Sequence, residues 1–291
     1  KEEETKVKEF IINILKGMVI GLANIIPGVS GGTMMVSMGI YDRLILLLTH
    51  FVKKFKEAMK LLIPIVIGML LAIALLSKVI TKMFEAIPLQ TTLLFVGMII
   101  GGLPVIFKKV KGKKVGVAQI IGFAVFFVLV IGLSLIGEDD SRTADVSLNF
   151  MNILKLFLAG ALAAGTMVIP GVSGSMVMMI IGYYTVIIGT ISRLIDALHP
   201  FDMAGILAAC GVLVPFGIGV LVGIVVIAKL IEFVLKKYSQ TAYWSIIGLI
   251  VASPFAILIM MGSVTINVVN ILTGIIMLAI GFLIAMKLGG E

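Results

Sequence analysis

A chain of 291 residues that is 60% hydrophobic and only 13% charged, with a mean hydropathy of +1.24, falls outside the soluble globular class, where about 25% of residues carry charge. The formal charge of +8 does not imply a nucleic-acid partner, because the basic residues sit in short loops between apolar runs; there they set membrane orientation and attract anionic headgroups. The single Cys210 lies inside an apolar segment, which excludes a disulfide framework and a cysteine metal site.

Lys1–Lys8 mixes lysines with Glu2, Glu3 and Glu4 and reads as a solvated or interfacial helix start; Lys1–Glu9 is too charged for a signal peptide. Phe10–Ile26 is apolar except for Asn13, Lys16 and Asn24, and Pro27-Gly28 then breaks the helix. Val29–His50 resumes the apolar run and is closed by Asp42-Arg43 and the basic residues Lys53, Lys54, Lys56 and Lys60. Phe10–His50 is expected to form two short helices meeting at the break, as a re-entrant hairpin or two tight crossings, with the chain returning to the side it left. Spans are then predicted over Leu61–Leu76, Leu89–Phe107 and Val115–Ile136, the last ending in the acidic loop Glu138, Asp139, Asp140, Arg142, Asp145. Asn152–Ile169 and Gly171–Ile191 form a second interrupted pair. Met203–Ile227, Tyr243–Met261 and Val264–Met286 are the remaining predicted spans.

The two interruptions are the same phrase. Ile26-Pro27-Gly28-Val29-Ser30-Gly31-Gly32 returns as Ile169-Pro170-Gly171-Val172-Ser173-Gly174-Ser175, each followed by a Met-rich run and a Gly-x-Tyr, at Gly39–Tyr41 and Gly182–Tyr184, with a constant spacing of 143 residues. Further on, Pro64–Gly68 matches Pro215–Gly219, Lys78 matches Lys229 and Gly97 matches Gly248, at a spacing of 151.

Loop charge orients the chain. With Lys1–Lys16 in the cytoplasm, the Lys53–Lys60 loop, the lysines from Lys108 to Lys114, Lys229–Lys237 and Lys287 all fall inside, and only Lys78 and Lys82 fall on the unfavoured side. Both termini are then cytoplasmic. Each half contributes one hairpin and three crossings, so the second half enters upside down. The expected fold is an all-α polytopic membrane protein of two inverted-topology repeats, each with a broken or re-entrant helix pair plus three transmembrane helices. Residues 1-9 form a charged N-terminal segment, 10-137 repeat 1, 138-149 an external acidic linker and 150-291 repeat 2, together one transport domain. Inverted repeats with broken helices are a transporter architecture whose substrate site lies near midplane.

Helix-breaking sequence at membrane depth belongs where it is buried in protein or lines a wet cavity. Pro27 and Pro170 stop a helix, Gly28, Gly31, Gly32, Gly171 and Gly174 free the backbone to turn its N–H groups to one point, and Ser30, Thr33, Ser173 and Ser175 add hydroxyl donors. Such a site suits an anion, above all a phosphate. The alternative reading is close helix packing through small residues. No nucleotide P-loop is present.

Asn24 and Thr166 precede the motifs in apolar surroundings and need hydrogen-bond partners. Arg43 and Arg193 read equally as phosphate partners or as side chains reaching to the headgroups. Asp42 is expected to pair with Arg43 or to be an interfacial charge, His50 and His199 to be interfacial, and Tyr41 and Tyr184 to be interface aromatics. No metal site, cofactor or catalytic cluster is expected, and a serine hydrolase based on Ser30 or Ser173 lacks a base. Oligomeric state has no signature in the sequence.

Through Pro27-Gly28-Val29-Ser30-Gly31-Gly32-Thr33 with Gly39-Ile40-Tyr41, and Pro170-Gly171-Val172-Ser173-Gly174-Ser175 with Gly182-Tyr183-Tyr184, the chain resembles the polyprenyl-phosphate (undecaprenyl-phosphate) transporter family of bacterial membrane proteins over essentially its whole length. The resemblance implies a multi-pass protein of the bacterial cytoplasmic membrane. Its implied activity is the return of undecaprenyl phosphate from the outer to the inner leaflet, which recycles the carrier for peptidoglycan and other envelope polymers. In that family an acidic residue commonly follows Gly-x-Tyr. Asp42 keeps the pattern and Thr185 departs from it, so no mechanism with two equivalent carboxylates is implied. A transporter of a small soluble anion and an intramembrane lipid-phosphate hydrolase are the alternatives.

Overall fold

The computed structural model describes residues 2–25, 29–136, 143–147, 149–199, 201–261, 264 and 267–289. Gly262 and Ser263, between the last two predicted spans, and the charges Glu138, Asp139, Asp140 and Arg142 lie outside them. The first half runs α1 (Glu2–Ile25), α2 (Gly31–Ser37), α3 (Tyr41–Thr49), α4 (Phe55–Ala86), α5 (Pro88–Val110) and α6 (Val117–Ile136). The second runs α7 (Phe150–Val168), α8 (Gly174–Ile180), α9 (Tyr184–Ala197), α10 (Met203–Lys237), α11 (Ser239–Met260) and α12 (Val268–Gly289). The all-α expectation holds among the described residues, and the order long, short, short, long, long, long occurs twice.

Among the described residues, seven helices are long and apolar enough to cross a membrane, or up to nine spans if each bent pair counts as one. Large apolar side chains such as Val128, Leu221 and Leu283 stand open to the surroundings, as lipid contact requires. The chain is a multi-pass membrane protein. Two helices outrun their predicted spans. α4 continues through Lys78 and Lys82 to Ala86, and α10 through Lys229 to Lys237, because lysine is a good helix former and no breaker intervenes.

The interrupted pairs contain a second break that sequence reading did not place. α2 meets α3 at a bend of 115°, and α8 meets α9 at 105°. Gly39 (φ 71) and Gly182 (φ 78) take the left-handed conformation open to glycine. In the first, the N–H groups of Gly39 and Ile40 close back on the carbonyls of Val36 and Met35; in the second, those of Gly182 and Tyr183 close on Met179 and Met178. Both are Schellman caps, which satisfy the last carbonyls of a helix while turning the chain away.

The chain forms two compact units that do not follow its halves. One comprises Lys1–Ile136, Ile169–Val172 and Lys229–Glu291, the other Gly137–Val168 and Ser173–Ala228. In the first, α1 lies on α4 so closely that Gly17 abuts the Ile65 carbonyl and Gly68 the Ile14 carbonyl. In the second, α7 lies on the 203–228 stretch of α10, with Gly160 against the Phe216 carbonyl and Gly219 against the Phe157 carbonyl. These are the same contacts position for position, at the spacings of 143 and 151 seen in the sequence. Neither pair has room for a Cβ, and close approach through small residues is how helices associate where apolar burial gives no net drive.

The later helices exchange partners. In the first unit α5 packs on α12, with Gly97 against the Leu278 carbonyl and Gly281 against the Leu94 carbonyl, while α11 packs on α6, with Gly248 against the Phe123 carbonyl. The last helix of each half therefore pairs with the penultimate helix of the other. The second unit has its own apolar core, in which Leu156, Ala159 and Ala163 of α7 meet Met178, Tyr183, Ile187 and Val212.

Candidate functional site

Pro27 and Gly28 lie outside the described residues. From Val29 onward the first motif is buried. Ser30 is extended (φ −97, ψ 130) at the head of α2, but its hydroxyl does not cap the helix. Its Oγ is shut from solvent with no hydrogen-bond partner among the described residues. An orphaned buried hydroxyl costs about 1–3 kcal/mol, and such a group calls for a ligand, water or ion to explain it. Gly31, Gly32 and Thr33 fill the first turn of α2, where N–H groups have no acceptor within the helix. A Cβ at Gly31 would lie 2.5 Å from Oδ1 of Asn24. Asn24 itself is exposed at the end of α1, not enclosed as its apolar neighbours in sequence suggested.

Within the first unit, residues 169–172 of the second motif lie against the first motif. Thr33 is fully buried, and its Oγ1 accepts a hydrogen bond from the Gly171 N–H at 2.7 Å. A Cβ at Gly32 would stand 3.1 Å from the Cα of Pro170, so the segments 29–33 and 169–172 cross backbone to backbone. Gly171 has φ 79 and passes close to the Leu249 carbonyl.

The second copy repeats the sequence but not the hydrogen bonding. The Ser173 hydroxyl accepts from the Met176 N–H (3.4 Å) and shares a hydrogen bond with the Ser175 hydroxyl (2.9 Å). A Cβ at Gly174 would crowd the Met167 side chain. The Thr166 hydroxyl donates to the carbonyls of Ala163 (2.8 Å) and Leu162 (3.2 Å) in its own helix. Ser30 is thus the free hydroxyl and Ser173 the occupied one. α2 and α8 have seven residues each, too few aligned peptides for a large dipole. The donors near Ser30 outweigh it.

The arginines do not complete this crossing. Exposed Arg43 donates from Nη1 to Glu9 Oε1 at 2.9 Å. Exposed Arg193 is held by its own helix, through Thr190 Oγ1 (3.0 Å) and the Gly189 carbonyl (3.3 Å). It lines a cavity of about 840 Å³ in the second unit together with Asp145, Asp196 and Asp202. The Ser147 N–H, then the Asn152 and Ser147 side chains, hold the Asp145 carboxyl below the usual carboxylate range. Three carboxylates beside one guanidinium make that cavity a poor place for a phosphate.

Asp42 has partners that sequence reading missed. The expected pairing with Arg43 does not form, since adjacent helical residues point apart. Asp42 Oδ2 instead accepts from Lys109 Nζ and from the Tyr243 hydroxyl, each at 2.8 Å, tying α3 to α5 and α11. Both charges are partly exposed, so the tie is worth roughly 1 kcal/mol. Asp42→Ala is expected to lower stability by about that amount, and a thermal melt of the purified protein in detergent measures it. His50 Nδ1 lies 3.2 Å from the Leu46 carbonyl and 3.7 Å from Glu232 Oε1. His199 Nδ1 lies 3.0 Å from the Leu198 carbonyl. Glu232 was another omission; the signal for it was a lone carboxylate in an apolar helix with Lys236 one turn on, the residue it pairs with. Among the described residues, no group of three or more His, Cys, Asp or Glu side chains is placed to hold a metal ion.

A family model described as undecaprenyl phosphate translocase-like matches residues 20–274. The chain is similar to a polyprenyl-phosphate transporter of Staphylococcus aureus, at 32% identity over 285 residues covering 96% of this chain and 95% of that protein. It is also similar to a polyprenyl-phosphate transporter of Vibrio cholerae, at 24% identity over 263 residues covering 85% and 77%. No solved structure matches.

Proposed function

This chain belongs to the undecaprenyl phosphate translocase-like family, whose members are named as transporters and not enzymes, and on that premise we propose that it carries undecaprenyl phosphate from the outer to the inner leaflet of the bacterial cytoplasmic membrane. The supporting observation is the buried, unpartnered Ser30 hydroxyl beside the crossing of the two motifs. The phosphate accepts from Ser30 and from the first-turn N–H groups of Gly31, Gly32 and Thr33. The Thr33 Oγ1 accepts from Gly171 and keeps its own proton to donate. Asn24 borders this turn. Pro170 interrupts the helix on the second copy's side of the crossing.

Repeat 1 (10-137) and repeat 2 (150-291), joined by 138-149, are read as inverted copies, an architecture in which the site opens to alternate leaflets. The charge layout supports cytoplasmic termini. Returning the carrier in this direction recycles it for envelope polymers. The Ser30 hydroxyl has no base beside it among the described residues, which favours binding over hydrolysis.

Proteoliposomes with labelled undecaprenyl phosphate in one leaflet test the reading. Protein-dependent exchange between leaflets is expected, without release of inorganic phosphate. Unchanged leaflet exposure in vesicles holding folded protein would overturn the proposal. Phosphate release would replace it with hydrolysis, and uptake of free phosphate in place of lipid exchange would replace it with soluble-anion transport.

A further inference from the structure

One cavity of the first unit has almost no polar lining and includes Ile169 and Pro170 of the second motif among its walls. It holds about 660 Å³ and is formed by α6, α11 and the 229–237 end of α10. Exposed Ala118, half-buried Gly122 and buried Ala242 line it together with Leu230 and Val234, and so do Ile169 and Pro170. The next residue, Gly171, donates its N–H to Thr33, so the apolar groove adjoins the crossing where the phosphate is proposed to bind. Val125 and Leu230 remain open to the surroundings while Leu249 and Ile246 are buried. The groove therefore has a deep apolar base and a side open to lipid.

Resting on the polyprenyl-phosphate reading above, we infer that this groove seats the isoprenoid chain next to the phosphate. A ligand with an anionic head and a single branched hydrocarbon chain fits both features at once: the head meets hydroxyl and N–H donors, and the chain meets Ile, Leu and Val side chains. The volume lies within the roughly 300–1,000 Å³ of sites that enclose drug-sized ligands, enough for the first few isoprene units but not for a long chain. The remainder stays in lipid. The groove makes binding depend on the chain's first units, because each buried methylene adds affinity, and independent of units beyond them.

The experiment uses the whole protein in nanodiscs with a photoreactive farnesyl phosphate. Crosslinks are expected within 118–126 and 230–249, competed by farnesyl and undecaprenyl phosphate alike. Farnesyl phosphate is expected to bind at least about tenfold more tightly than methyl phosphate. Ala118→Trp and Val125→Trp, which fill the groove from its open side, are expected to remove that gain and leave methyl phosphate binding unchanged. Crosslinks spread over α12, or equal competition by phosphatidylglycerol, would overturn the groove as a chain site. A full chain-dependent gain in both Trp variants would overturn it too. The two proposals fail separately. Farnesol labelling the same residues as strongly as farnesyl phosphate would keep the groove and remove the phosphate site, whereas farnesyl phosphate bound elsewhere with methyl phosphate still bound would do the reverse.

Discussion

Gly219→Ala is expected to lower stability by at least about 3 kcal/mol, beyond the usual range for overpacking, and Gly68→Ala to do the same. In each case the new methyl group meets a backbone carbonyl on the facing helix, Phe157 for Gly219 and Ile14 for Gly68. A side chain can rotate away from such a contact, but a carbonyl in a helix cannot, so the two helices must separate along the seam. Gly217 supplies the control on the same helix, two residues away, where a Cβ would find open space. Gly217→Ala is expected to be neutral or slightly stabilising, within about 1 kcal/mol, because alanine is the better helix former. Thermal midpoints and membrane yields of the three variants decide the matter. If Gly219→Ala melts together with Gly217→Ala, α7 and α10 do not pack as described.

Ser30→Ala is expected to weaken binding of a polyprenyl phosphate by about 10- to 100-fold, the value of one hydrogen bond to a charged group, while leaving the empty protein as stable or slightly more so. The second half of that expectation separates a ligand group from a packing group. Removing a buried hydroxyl with no partner relieves a desolvation cost. Removing one with a structural partner adds a cost. Ser173 is of the second kind, since it accepts from Met176 N–H at the head of α8. Ser173→Ala is accordingly expected to lose about 1 kcal/mol of stability. Chain-labelled ligand binding beside a melt of ligand-free protein reads both. Undiminished binding in the Ser30→Ala, Ser173→Ala double variant would show that the hydroxyls only fill space.

The doubled motif was legible because it is local. Pro, Gly and hydroxyl residues at fixed spacing announce a helix break without any knowledge of what lies nearby, and the register of 143 and 151 residues carried over to the contacts of Gly17 and Gly160 and of Gly68 and Gly219. Gly39 and Gly182 were visible as repeat markers, yet their role as left-handed caps depends on a backbone angle that a shared Gly-x-Tyr does not state. Partners far apart in sequence were the least legible. Asp42 has a cation beside it at Arg43, and nothing local indicates Lys109 or Tyr243. The exchange of α6 and α12 was hidden for a related reason: both are apolar around nearly their whole circumference, so no stripe marks the face that meets a neighbour. The unequal state of Ser30 and Ser173 was half legible, because the phrases differ at Gly32 and Ser175, and Ser175 supplies one of the hydrogen-bond partners of Ser173.

The exchanged helices bear on how such a protein is made. When the ribosome has finished α6, its packing partner α11 does not exist until residue 239, and α5 waits for α12, which begins at residue 268. Lipid keeps these solitary helices in place, since a single apolar helix already satisfies its own backbone in the bilayer. The fold then closes only after synthesis has ended. A gene cut at the linker between the halves would yield two pieces that each lack a partner for two helices. Neither piece is a smaller transporter, and activity should return only when both are made in the same membrane.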